Sequence, residues 1–146
     1  MLFAAAVILS YMLLLVILAV AAPGTGVGGS LIELVPGSWR DWAHVPAYGL
    51  LGWMVMWGFR RRGWPVIPAA SVGILVTAVF GLWTEVMQGT APGREASLHD
   101  IWNDLLGGMI AAAVLLWQQS ELNLSKRSVR ARGMNLHHRT KGTGSK

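Results

Sequence analysis

Apolar positions in this chain gather into long stretches and do not alternate with polar ones. Residues 1–22 carry no charged side chain, residues 42–59 only His44, residues 63–84 none, and residues 101–117 only Asp104 near their start. An α-helix rises about 1.5 Å per residue, so about 20 mostly apolar residues cross the hydrocarbon of a bilayer. None of the stretches shows the period of two that a membrane barrel strand requires. The pattern predicts an all-α integral membrane four-helix bundle, with helices at about residues 2–22, 42–59, 64–86 and 100–118. These form one transmembrane domain over residues 1–119, followed by a polar tail over residues 120–146.

Helical periodicity divides these spans into faces. In the fourth, Asp100, Asp104, Gly107 and Ala111 share one side with Asn103 beside them, while Trp102, Leu105, Leu106 and Met109 lie opposite. The third repeats the design. Ala70, Gly73, Thr77, Gly81, Thr84 and Gln88 form a stripe with Glu85 at its flank, and Val72, Leu75, Val79, Leu82 and Val86 lie opposite. The second stacks Asp41, His44 and Tyr48 above Leu51, Gly52 and Val55, with Pro46 expected in its first turn, where no N–H is needed. Small residues let helices approach closely in lipid, so the three stripes should face each other. Their ends would gather Asp41, His44, Tyr48, Glu85, Gln88, Asp100, Asn103 and Asp104 around one pocket, with Arg94 on the loop above.

Composition agrees with a membrane solvent: of 146 residues, 53% are hydrophobic and 13% charged. Charge placement then orients the chain. Arg60, Arg61 and Arg62 lie between the second and third spans, and every other Lys or Arg except Arg40 and Arg94 follows residue 125. Loops rich in Lys and Arg stay cytoplasmic, which puts both termini inside and the polar ends of the stripes outside. Trp39, Trp42, Trp83 and Trp102 mark the outer ends of spans, and Trp57, Trp64 and Trp117 the inner ends. The acids Glu33, Asp41, Glu85, Glu95, Asp100 and Asp104 all fall on the outer half, leaving Glu121 inside. Glu33, Asp41 and Glu95 read first as solvated loop charges, and His99 as a group facing lipid headgroups.

The first span competes with a secretory signal, since "LAVAAPG" resembles a cleavage site. Residues 1–10 hold no Lys or Arg, and the apolar run is span-length, so a retained helix is expected. The chain has no cysteine, which removes disulfide and thiol chemistry. The tail, basic and poor in large apolar side chains, is expected to be disordered beyond about residue 120 and to contact the anionic inner leaflet rather than nucleic acid.

The string "DWAHVPAYGLL", then Glu85 and Gln88, then "PGREASLHDIWNDLLGG" with Arg94, Ser97, Asp100, Asp104 and Gly107, resembles the VanZ-like membrane protein family. The likeness covers roughly residues 41–112. Where that family reads Asp, three residues, Asn, two residues, Gly, this chain has Asp100, Asp104 and Gly107, with Asn103 just before the deeper acid. The resemblance implies a bacterial cytoplasmic-membrane protein of four helices, a family whose founding member contributes to teicoplanin-type glycopeptide resistance. It implies no biochemical mechanism.

Three classes of function suit the polar cluster. The leading one binds or handles a cell-envelope component, either lipid-linked or peptidoglycan-related, or a glycopeptide. Arg94 would meet an anionic group, and the carboxylates and amides would meet hydroxyls. The second is an intramembrane hydrolase or transferase with His44 or Glu85 as general base, for which no serine or cysteine nucleophile is indicated. The third is a small transporter, to which a polar cluster at one end of four helices is poorly suited. Three carboxylates and a histidine also suit a divalent cation, although no tight ligand motif is present and no cofactor is indicated.

Overall fold

The computed structural model describes residues 2–21, 26–34, 36–91, 94 and 96–142. Its elements are α1 (Leu2–Val20), α2 (Gly26–Glu33), α3 (Gly37–Arg60), α4 (Val66–Gln88) and α5 (Leu98–Gly142), and no strand occurs among the described residues. Three segments are long and apolar enough to cross a membrane: Leu2–Val20, Val66–Gln88 and Leu98–Lys126. These mark a multi-pass membrane protein. The chain divides into two units, Met1–Leu115 and Leu116–Lys146, and the first holds everything that builds the site.

Several boundaries depart from the periodicity. A short helix, α2, occupies part of the first connection, and α3 begins at Gly37 rather than near residue 42. Pro36 stands at the N-cap of α3 with φ −53° and ψ 141° and sets the helix start. Pro46 consequently lies inside α3 and not in its first turn, where it removes one helical hydrogen bond from the ladder. The tail expected to be disordered is helical through Gly142. No proline follows Pro92, and residues 117–128 are rich in good helix formers with local bonds such as Gln119 Nε2 to Asn123 Oδ1 at 3.3 Å.

The turn after α3 has a clear local cause. Trp64 N–H donates to Phe59 O at 3.2 Å, and Gly63 N–H to Arg60 O at 3.0 Å. Gly63 takes φ +81°, a left-handed value that glycine adopts without Cβ strain. The Phe59 and Trp64 rings meet edge to face at 4.6 Å, which completes a Schellman-type stop with its apolar contact.

Packing in the first unit follows the small-residue stripes. A β-carbon on Gly107 would collide with Val45 O and lie 2.7 Å from Gly49 N, and one on Gly49 would lie 3.2 Å from Gly107 O. Backbone therefore meets backbone where α3 crosses α5. On α4, a β-carbon at Gly81 would run into the Asp104 carboxylate, while Thr77 packs against Gly108 and Gly52. Leu15, Tyr48, Leu51, Val55 and Phe80 form one apolar cluster joining α1, α3 and α4, and Met56, Ala70, Ala111 and Ala112 form a second. The outer face of α4 carries exposed Leu75, Val79, Leu82 and Val86, as a lipid-facing surface would.

Gly107→Ala should lower the stability of the detergent-solubilised protein by about 3 kcal/mol, because only backbone atoms surround the added methyl and neither strand of contact can yield. Leu82→Phe, on the exposed face, should change it by less than about 0.5 kcal/mol. Thermal melts of the two purified variants compare them directly, and equal losses would contradict this facing of the helices.

Candidate functional site

The polar residues of α3, α4 and α5 meet at one end of the first unit. His44 on α3 donates from Nδ1 to Asp104 Oδ1 at 2.8 Å, and its Nε2 lies 3.8 Å from Asp100 Oδ2. The imidazole is stacked parallel to the Tyr48 ring one turn on, with centroids 5.8 Å apart. Tyr48 hydroxyl in turn bonds Thr84 Oγ1 on α4. Thr84 gives its own proton to the Phe80 or Gly81 carbonyl at 3.0 and 2.9 Å, which makes Tyr48 the donor in the shared bond.

A second set of bonds fixes the loop between α4 and α5. Glu85 is buried on α4 and accepts the backbone N–H of Ser97. Ser97 O then accepts the first amides of α5, from Asp100 at 3.1 Å and Ile101 at 3.4 Å. Gln88 lies between charges of both signs. With its amide oxygen toward Arg94 it accepts from Arg94 Nε at 2.9 Å and from Nη2, and its nitrogen donates to Glu85 Oε2 at 3.1 Å. The opposite orientation would set oxygen against carboxylate. Partial burial pushes the Arg94 guanidinium down from its ordinary value and nearby Arg40 acts the same way, while Asp100 and Glu85 oppose both. It nevertheless stays charged.

Beside this cluster lies a cavity of about 630 Å³, within the range of small-ligand sites. Its walls differ. Leu14, Leu15, Leu18 and Ala19 of α1, with Leu31 of α2, supply an apolar side. His44, Tyr48, Thr84, Gln88, Arg94 and Asp100 supply a polar one, with Arg40, Asp41 and Ser97 also lining it.

The nine residues singled out from the sequence thus separate into two groups. Asp41, His44, Tyr48, Gln88, Arg94 and Asp100 line the cavity. Glu85, Asn103 and Asp104 do not: Glu85 anchors the loop, Asn103 Nδ2 donates to the Asp41 carbonyl at 2.9 Å, and Asp104 lies fully buried behind His44. Asp41 itself is exposed, so its backbone rather than its carboxylate ties α3 to α5. Arg40 and the whole apolar wall were missed, and Ser97 was named within the motif but not as a lining residue. Arg40 adjoins Asp41, which was singled out, but α1 is apolar apart from Ser10 and Tyr11 and offered no signal for its leucines. Glu95 lies outside the described residues, as does the Glu33 side chain. Among the described residues no three of His, Asp and Glu are grouped as metal ligands.

Two carboxylate oxygens, Asp100 Oδ1 and Asp104 Oδ2, are buried without a hydrogen-bond partner among the described residues. Asp104 Oδ2 is the atom a side chain at Gly81 would displace.

In comparisons with known proteins, no family model, curated protein or solved structure matches the chain. The site is therefore read from its own geometry, as the polar wall of a cavity in a helical multi-pass membrane protein.

His44→Ala should destabilise the protein by about 3 kcal/mol, since it strands a fully buried carboxylate that the Nδ1 hydrogen bond had satisfied. Asp104→Asn keeps an oxygen acceptor for Nδ1 and should cost less than half as much. In a double-variant cycle, Asp104→Leu should cost far less beside His44→Ala than alone, a coupling above about 1 kcal/mol that additive melting shifts would refute.

Proposed function

We propose that this chain is a VanZ-like protein of the bacterial cytoplasmic membrane whose pocket binds an amphiphilic cell-envelope component, lipid-linked or peptidoglycan-related. The observation that carries the reading is the two-sided cavity, with leucines of α1 along one wall and charged and hydrogen-bonding groups of α3, α4 and α5 along the other. A ligand with a hydrocarbon tail and a polar, charged head satisfies both walls, whereas a fully soluble metabolite leaves the first unused.

In this reading α3 is the fourth span. Its 24 residues make a rod of about 36 Å, with Arg40, Asp41 and His44 at one end and Arg60 at the other. The arginine-rich turn and the basic stretch after residue 125 support a topology with both termini in the cytoplasm and the cavity on the extracytoplasmic side. The basic stretch then meets the anionic inner leaflet, each cation near the surface contributing about 1 kcal/mol. Single cysteines at Thr90 and Gly142 of this cysteine-free chain test the orientation: an impermeant maleimide should label the first in intact cells and the second only after lysis. Labelling of Gly142→Cys from outside would reverse the topology.

A second reading, acid–base catalysis on the bound molecule, is favoured by one feature. Asp104 holds His44 through Nδ1, which directs Nε2 toward the cavity, the arrangement in which a buried carboxylate orients a general base.

For the binding reading, the purified protein should carry an envelope amphiphile detectable by mass spectrometry of its organic extract. Ala43→Trp, at a cavity-lining position outside the hydrogen-bonded cluster, should remove that molecule while melting together with the delipidated parent protein. Retention of the same lipid by Ala43→Trp would overturn the assignment. Turnover of the extracted molecule, abolished by His44→Gln, would move the catalytic reading ahead.

A further inference from the structure

The polar wall of the cavity carries charges of both signs, and one of them is incompletely satisfied. Asp100 lines the cavity, is 7% exposed, and has one carboxylate oxygen with no hydrogen-bond partner. The basic nitrogen nearest to its other oxygen, Nε2 of His44, stands at 3.8 Å, beyond hydrogen-bond reach. His44 is engaged through Nδ1 with Asp104, so its ring is not free to turn onto Asp100. A buried carboxylate so poorly partnered is costly, and N–H donors brought to Oδ2 from the cavity would relieve it.

Arg94 supplies the opposite pole. Gln88 takes its Nε and Nη2, and no hydrogen bond among the described residues occupies Nη1. Arg94 and Asp100 both line the cavity, yet no ion pair joins them among the described residues. Two opposite charges held apart along one wall match a head group that carries both. Arg40 and Asp41 repeat the same pair of signs on that lining.

We propose that the pocket selects a zwitterionic amphiphile whose head joins a primary ammonium to a phosphate diester, the ammonium meeting Asp100 and the phosphate Arg94. The inference rests on the pocket being a lipid-binding site. A primary ammonium carries three N–H donors, while a quaternary one carries none and is held in proteins by aromatic cages. The described aromatic side chains lining this cavity are His44 and Tyr48, stacked flat on one another, which is no cage. The wall built by Leu14, Leu15 and Leu18 takes the adjoining hydrocarbon.

The test uses the full chain in detergent, with native mass spectrometry titrations of lipids having identical acyl chains. The panel is phosphatidylethanolamine, its N-methyl, N,N-dimethyl and N,N,N-trimethyl derivatives, and phosphatidylglycerol. Affinity should fall with each methyl, to at least about tenfold weaker for the trimethylated lipid, as expected for loss of a charge-assisted hydrogen bond. Asp100→Asn, isosteric and checked for an unchanged melting temperature, should flatten that series while leaving phosphatidylglycerol unaffected. Arg94→Gln should weaken all the phospholipids alike. Free phosphoethanolamine at high concentration should compete if the head alone is recognised, and its failure to compete would assign the site to the intact lipid. A series of equal affinities, or a methyl dependence unchanged by Asp100→Asn, would overturn the head-group assignment. The two inferences fail separately: binding of phosphatidylglycerol that Ala43→Trp abolishes keeps the lipid pocket even if the ammonium preference is absent, and binding that Ala43→Trp leaves intact removes both.

Discussion

The bond from His44 Nδ1 to Asp104 is the constraint on which the other contacts of the site depend. Asp104 has no solvent exposure, and a carboxylate in such surroundings is held only by a close partner. The partner sits on another helix, so α3 and α5 have one register in which both are satisfied. That register places Gly49 on Gly107, backbone against backbone, and the same carboxylate presses on Gly81 of α4. Three helices are thus positioned around one pair, and the choice of Nδ1 for the buried acid leaves Nε2 on the side of Asp100 and the cavity.

The remaining polar groups divide by whether they hold the frame or face the opening. Glu85 fixes the backbone at the start of α5, and Asn103 fixes the backbone at Asp41. Gln88 and Tyr48 are half in each role, since each lines the cavity while bonded to a neighbour that limits its rotation. Such cross-bonding means the polar wall is arranged before any ligand arrives, which lowers the ordering cost of binding.

How much of this was legible in the sequence differs element by element. The stripes on α4 and α5 were, because small and polar side chains recur there at helical spacing against Leu, Val and Trp; the exposed faces follow that spacing except at Val72, which packs on the apolar core, and at half-buried Leu105. The start of α3 was not, since a Pro-Gly-Ser string marks a loop as readily as a helix start, and the displaced boundary moved Pro46 from a harmless position into the helix interior. The helical course of the tail was obscured by its polarity, which describes burial and not backbone preference. Within the site, the nine residues were legible as a group but not their division. Asp100 and Asp104 lie one turn apart on the same face, and only tertiary packing decides that one lines the cavity while the other is sealed behind an imidazole.

The cavity lies where two ways of packing meet. Along α3, α4 and α5, glycine, alanine and threonine bring backbones together and leave little space. Against them α1 offers large aliphatic side chains, and its hydrogen bond to the bundle among the described residues is Tyr11 hydroxyl to the Ala47 carbonyl at 3.0 Å. Bulky, branched surfaces cannot follow the close-packed seam, so space remains at the end where the polar groups are also found. The same asymmetry says which wall gives way. The polar wall is tied by directional bonds between helices, whereas the contacts of α1 are mostly apolar, so a change in the width of the cavity falls on α1 and leaves the geometry around His44 and Asp100 intact.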